Sequence, residues 1–195
     1  MSLTVEKCLQ AWTNSLKQLN VKADMVFFGD SLTYYGDFSK FFPDKVVFNL
    51  GLRGDTILGM IDRVEQIKTL EPKTVFLMAG INDVATCDID EFKKRYVNLV
   101  KTLYDKLLGG RIVIQNMLPV NDKDFEISCD NQKIIACNDA IRHVSNNYGL
   151  LYLDLYSEYA KAGLLEKKNT IDGIHIKPEC YQEWINCIIR NEGFL

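Results

Sequence analysis

Five short apolar runs of strand length alternate along this chain with segments whose apolar residues recur at helical spacing. The first run, Met25-Val26-Phe27-Phe28, stops abruptly on Gly29-Asp30-Ser31-Leu32. Branched and aromatic residues ahead of a glycine read as a buried strand, and the polar residues behind it must leave the sheet. The other runs are residues 46–49, 74–79, 111–116 and 151–153. Strands this apolar are covered on both faces, and strand-helix alternation builds a parallel sheet. The expectation is an α/β fold, a three-layer α/β/α sandwich around a five-stranded parallel sheet.

Helices are expected at residues 5–19, 37–42, from Asp55 or Thr56 to about residue 70, from Asp88 or Asp90 to residue 108, and at 131–147 and 156–162. A closing helix has Pro178 in its first turn and runs to about Arg190. With five strands, 2-1-3-4-5 is the natural strand order, as in flavodoxin-like folds. No repeat, linker or low-complexity stretch interrupts the pattern, so residues 1–195 are expected to form a single domain.

Composition removes several function classes. The formal charge is −3 with signs mixed along the chain and no basic stripe, so no nucleic-acid partner is expected. No apolar run approaches the roughly 18 residues that a membrane span needs. The first residues lack a signal-peptide core, which points to a cytoplasmic protein. The six cysteines form no Cys-x-x-Cys pair, which argues against both a zinc site and a disulfide framework. Cys180 and Cys187 read as small core residues of one helix face.

Three strands end in polar punctuation: Gly29-Asp30-Ser31, Asn49-Leu50-Gly51 and Gly80-Ile81-Asn82-Asp83. In an open parallel sheet these ends converge on one rim, where ligands bind. Asp172-Gly173-Ile174-His175, after the last strand, lies near the same edge. Ser31 can serve as nucleophile beside a base, or Asp30 and Ser31 can simply cap a helix. Of the two histidines, His143 falls in a helix and reads as solvated, whereas His175 follows a glycine in a loop. Asp172 can curl around Gly173 to orient His175, or it can be an ordinary turn residue. The backbone N–H groups of Ser31 and Gly51 and the side-chain amide of Asn82 are candidate donors to an oxyanion, Gly51 being equally a strand-ending turn glycine. Tyr34, Tyr35, Met117, Leu118 and Pro119 are candidates for the pocket wall.

These four blocks, in this order, resemble those of the SGNH (GDSL-type) hydrolases. The second block reads on as Gly51-Leu52-Arg53-Gly54-Asp55-Thr56, and the four together span Gly29 to His175. In length the chain is similar to compact members, such as bacterial acetylesterases and the catalytic subunits of platelet-activating-factor acetylhydrolase. The resemblance implies Ser31 as nucleophile, His175 as base and Asp172 as its orienter. Ser31 N–H, Gly51 N–H and Asn82 would form the oxyanion hole. No metal and no cofactor is implied. Arg53 stands where many relatives have a small residue; it either reaches an anionic substrate group or pairs with an acidic neighbour, the second being the expectation.

The leading expectation is a serine esterase that cleaves a small acyl ester, acetyl or short-chain, through an acyl-enzyme. The partner is then a small-molecule ester, and homo-oligomerisation is left open. A lysophospholipase or thioesterase on the same site is the alternative, as is a non-catalytic ligand-binding module. A flavin or nucleotide module is disfavoured, because no Gly-x-x-x-x-Gly-Lys-Ser/Thr or Gly-x-Gly-x-x-Gly loop is present.

Overall fold

The computed structural model describes residues 11, 13–18, 21–107 and 109–194. Residues 13–18 are helical, and the rest of the helix expected at 5–19 lies outside the described residues, apart from residue 11. Five parallel strands, β1 (Met25–Gly29), β2 (Val47–Gly51), β3 (Thr74–Met78), β4 (Arg111–Gln115) and β5 (Leu151–Leu153), stand in the order β2-β1-β3-β4-β5. In β1, side chains alternate between the two faces, as strand geometry requires. Val26 and Phe28 join one core, Met25 and Phe27 the other. All four are at most 3% exposed, so both faces must carry helices.

On the first face lie α2 (Ile57–Asp62), α3 (Val64–Thr69), α5 (Ile89–Lys106) and α6 (Asn131–Asn147), with Ile57, Met60, Ile67, Leu99, Leu103 and Ile141 in the core. On the second lie α1 (Ser31–Tyr34), α7 (Leu155–Tyr159) and α8 (Tyr181–Arg190), with Leu32, Leu155, Trp184 and Ile188 inward. Asp30, Thr56, Asp88, Asp130 and Asp154 each accept a backbone N–H at a helix start, the capping that these residue types favour.

Three segments differ from expectation. The helix expected after Thr56 is two helices, broken at Arg63, whose guanidinium turns into the protein. Asn82 lies on a one-turn helix, α4 (Ile81–Val84), where no helix was expected. The helix expected at 156–162 ends at Tyr159, and a two-residue hairpin follows, β6 (Ala160–Lys161) and β7 (Leu164–Leu165), turning on Ala162 and Gly163. Both turn residues have positive φ, the requirement of the tight hairpin turn that matches strand twist.

Candidate active site

Ser31 is the first residue of α1, immediately beyond the end of β1. Asp30 caps that helix, its Oδ1 accepting the Leu32 N–H at 2.9 Å. Capping and a place at the rim therefore coexist: the cap fixes the turn, and the turn sets Ser31, itself only 7% exposed, where its Oγ faces His175. From the far side, Tyr181 Oη donates to Leu32 O at 2.6 Å and holds the short helix against α8.

His175 Nε2 lies 2.8 Å from Ser31 Oγ, and His175 Nδ1 lies 2.6 Å from Asp172 Oδ2. The second carboxylate oxygen of Asp172 accepts the N–H groups of Ile174 (3.1 Å) and His175 (2.8 Å). Partial burial raises the Asp172 carboxyl, but those two N–H bonds and the imidazole outweigh it and hold the carboxyl below its ordinary range. Gly173, at φ +94°, lets the loop fold this tightly, and a Cβ there would sit 2.8 Å from Phe125 Cβ. Thr170 Oγ1 bonds His175 O and accepts Gly173 N–H, while Asn121 N–H reaches Gly173 O at 2.8 Å. The 117–130 segment thus buttresses the loop that carries Asp172 and His175. Such an array can draw the hydroxyl proton to one imidazole nitrogen while the carboxylate fixes the tautomer at the other.

Of the three candidate donors, Gly51 has its hydrogen already engaged. Gly51 is buried and its N–H is donated to Asn49 Oδ1 at 2.8 Å, so that hydrogen is not available to a substrate. Asn49 is the clasp of this corner, since its Nδ2 also donates to Thr33 O (2.8 Å) and Gly36 O (2.7 Å). The next turn, closed by Asp55 N–H to Leu52 O, carries Gly54 at φ +72°. Gly54 is exposed, and its N–H has no acceptor among the described residues. Asn82 Nδ2 donates one hydrogen to Asp55 O at 2.8 Å, one residue beyond Gly54, and retains the other.

Beneath the rim lies Arg63. Its Nε meets Asp55 Oδ2 at 2.6 Å, its Nη1 Leu50 O at 2.7 Å and its Nη2 Gly29 O at 2.9 Å. The guanidinium packs over the Phe28 ring at 4.3 Å. It gathers the ends of β1 and β2 and the turn after Gly54 around a single group. Sequence reading did not single out Arg63. Its signal was a cation on the buried stripe, three residues after Met60 and four before Ile67. Gly54 stood in the quoted second block, but only the hydrogen bonds distinguish it from Gly51.

A model of the GDSL-like lipase/acylhydrolase family matches residues 27–183. The chain belongs to that family. The match takes in the last three residues of β1, all of β2 to β5, and Ser31, Asn82, Asp172 and His175, and the GDSL-like family makes this protein an ester hydrolase. Comparison with curated proteins returns no match. Among solved structures, a Streptococcus pneumonia protein provisionally named as a platelet activating factor is 21% identical, with a TM-score of 0.83 over 94% of this chain and 92% of that one. A GDSL-like lipase from Bacteroides thetaiotaomicron is 21% identical, with a TM-score of 0.81 over 96% and 98%. An acetyl xylan esterase is 20% identical, with a TM-score of 0.69 over 88% and 99%. At these identities the likeness shows the fold.

The remaining candidates sort by burial. His143 is exposed on α6, away from the strand ends. Tyr34 and Tyr35 are about half exposed at the rim, whereas Met117 and Leu118 are 1% exposed and belong to the two cores rather than to a pocket wall. Pro119, between them and Val120, is buried as well. Among the described residues Arg53 pairs with no acidic neighbour, and its guanidinium sits 5.7 Å from the Tyr35 ring centroid. The one grouping of metal-ligand types among the described residues, Glu158, Glu183 and Cys187, surrounds Arg190, whose Nη2 lies 2.9 Å from Glu158, 3.3 Å from Glu183 and 3.1 Å from Cys187 Sγ. No described helix is long and apolar enough to cross a membrane.

Proposed function

We propose that this ester hydrolase is a serine esterase of small acyl esters, acetyl or short-chain, working through an acyl-enzyme. The observation that carries the reading is the unbroken line Ser31 Oγ, His175 Nε2, His175 Nδ1, Asp172 Oδ2, with contacts of 2.8 and 2.6 Å. Ser31 Oγ attacks the ester carbonyl as its proton passes to His175 Nε2. The imidazolium that forms faces the Asp172 carboxylate, and it returns the proton to the departing alcohol oxygen. Water, deprotonated by the same nitrogen, then attacks the acyl-Ser31 carbonyl and releases the acid.

Charge on the tetrahedral oxygen needs donors in place before reaction. Ser31 N–H, at the start of α1, and the second Asn82 hydrogen supply two. The third is Gly54 N–H, in place of the engaged Gly51. The short-acyl preference is supported by the 117–130 segment, whose apolar residues Met117, Leu118 and Val120 turn into the core instead of walling a tunnel.

The test is hydrolysis of p-nitrophenyl acetate, with esters of increasing chain length, by wild type and Ser31→Ala. The expected result is turnover falling with chain length, abolished in a variant that keeps its fold, and stoichiometric labelling of Ser31 by a fluorophosphonate. Unchanged turnover in Ser31→Ala overturns the reading.

A further inference from the structure

The turn that separates Gly51 from Asp55 presents one charged side chain to solvent. Arg63, Arg95, Arg142 and Arg190 each pair with a carboxylate at 2.6–3.3 Å. Arg53 pairs with none among the described residues, and its guanidinium instead lies over the exposed ring of Tyr35. That ring stands edge-on to the imidazole of His175, with centroids 5.5 Å apart and planes at 88°. Tyr34 in turn braces Tyr35 at 5.2 Å, nearly perpendicular. A full positive charge is therefore held one aromatic ring away from the group that exchanges protons with the substrate.

The anchorage is firm at both ends. Leu52 N–H is bonded to Gly29 O and Asp55 N–H to Leu52 O, so the turn beneath Arg53 is tied to the end of β1. At the tip, the ring restricts a side chain that would otherwise sweep freely, which lowers the cost of ordering it around a ligand. Contact at this exposed position does little for the fold, so its consequence is the placement of the charge. A guanidinium, unlike an ammonium, offers a planar fork matched to a carboxylate or phosphate.

The geometry points to Arg53 as a specificity determinant: this enzyme acts on esters whose alcohol half carries an anionic group, a carboxylate or phosphate, that the Arg53–Tyr35 pair receives. The inference rests on the serine-esterase reading above. The alcohol half is assigned because His175 returns its proton to the leaving oxygen, so groups beside His175 border that half rather than the acyl group.

Three aryl esters separate the cases: 4-acetoxybenzoate with an anionic alcohol half, 4-acetoxybenzamide as its neutral counterpart, and mono-p-nitrophenyl succinate with an anionic acyl half. At low ionic strength, wild type is expected to favour the benzoate over the benzamide by about tenfold in kcat/KM, the scale of one charge-assisted contact. Arg53→Gln should erase that ratio, Arg53→Glu should invert it, and Arg53→Lys should restore part of it. Added salt should erode the wild-type ratio and leave that of Arg53→Gln unchanged. A ratio that is the same in wild type and Arg53→Gln overturns the proposal, as does a selective loss on the succinate. Hydrolysis of p-nitrophenyl acetate by a wild type that does not distinguish the benzoate from the benzamide sinks the anion site and leaves the esterase standing. No turnover of any ester sinks both.

Discussion

Arg63 and Asp55 form an ion pair at 2.6 Å with side-chain exposures of 1% and 6%, directly under the turns that carry Ser31 and Gly54. Burial pushes the Asp55 carboxyl up and the Arg63 guanidinium down, and each partner opposes the shift in the other. A pair of this kind need not be net stabilising, but removing one member leaves a buried charge without compensation. Arg63→Ala is expected to lose about 3–5 kcal/mol in chemical denaturation. Arg63→Lys keeps the charge but cannot reach Asp55, Leu50 O and Gly29 O together. It should fold, with kcat falling more than KM rises, because the rim turns are held less exactly than the substrate is bound.

Asn82→Ala removes a donor whose other hydrogen is structural, bonded to Asp55 O. The expected loss is about 10²–10³ in kcat with KM little altered, as befits a contact made to the developing oxyanion. Steady-state kinetics on p-nitrophenyl acetate check this, and a defect confined to KM would remove Asn82 from the hole.

Gly51 and Gly54 should respond differently to the same substitution. A Cβ at Gly51 would meet Tyr34 N at 2.2 Å and Tyr34 Cα at 2.5 Å, both backbone, so Gly51→Ala is expected to fold poorly or not at all. A Cβ at Gly54 meets nothing within 4 Å, but φ +72° disfavours a side chain. Gly54→Ala should fold at a cost of about 1–2 kcal/mol, and its defect should appear in kcat as the turn relaxes. Thermal melts and kinetics on the two variants separate packing from chemistry.

Asp30 is wholly buried, its Oδ2 has no partner among the described residues, and burial pushes its pKa up to about 7, with the nearby Asp55 charge adding to the rise. In the unfolded chain the same carboxyl ionises near 3.8. The folded state therefore keeps a proton that the unfolded state releases between these values. This group's contribution to stability is greatest below pH 3.8 and is lost as the pH rises toward 7, about 4 kcal/mol across the window. Asp30→Asn preserves the acceptor for Leu32 N–H and has nothing to ionise. Its stability relative to wild type is expected to climb between pH 4 and pH 7 and then level off, which denaturation at a series of pH values will show.

The fold, and the strand ends that carry the candidate site, were legible because both rest on short-range rules. The run Met25–Phe28, apolar at every position, can only be a strand with both faces covered, and Gly29 marks where it must end. The apolar spacing over 131–147 gave α6 at its true bounds. What escaped was long-range. That Met117 and Leu118 turn inward depends on Asn138 of α6, whose side chain bonds both the N–H and the O of Met117. The engagement of Gly51 depends on which way the Asn49 amide points, which spacing along the chain does not encode. Arg63 broke the expected helix because its partners, the carbonyls of Gly29 and Leu50, lie 34 and 13 residues away. Arg53 was expected to find an acid and found an aromatic ring instead.

The contrast between a glycine wedged against Tyr34 and an arm resting on the Tyr35 ring two residues later divides the second block into a fixed post and a replaceable tip. Selection can alter Leu52 and Arg53 without disturbing any strand or the hydrogen-bonded line of Ser31, His175 and Asp172, while position 51 tolerates no such experiment. Divergence of substrate taste within this architecture would thus concentrate on two adjacent codons, and a small library randomised there would explore new chemistry on an untouched chassis.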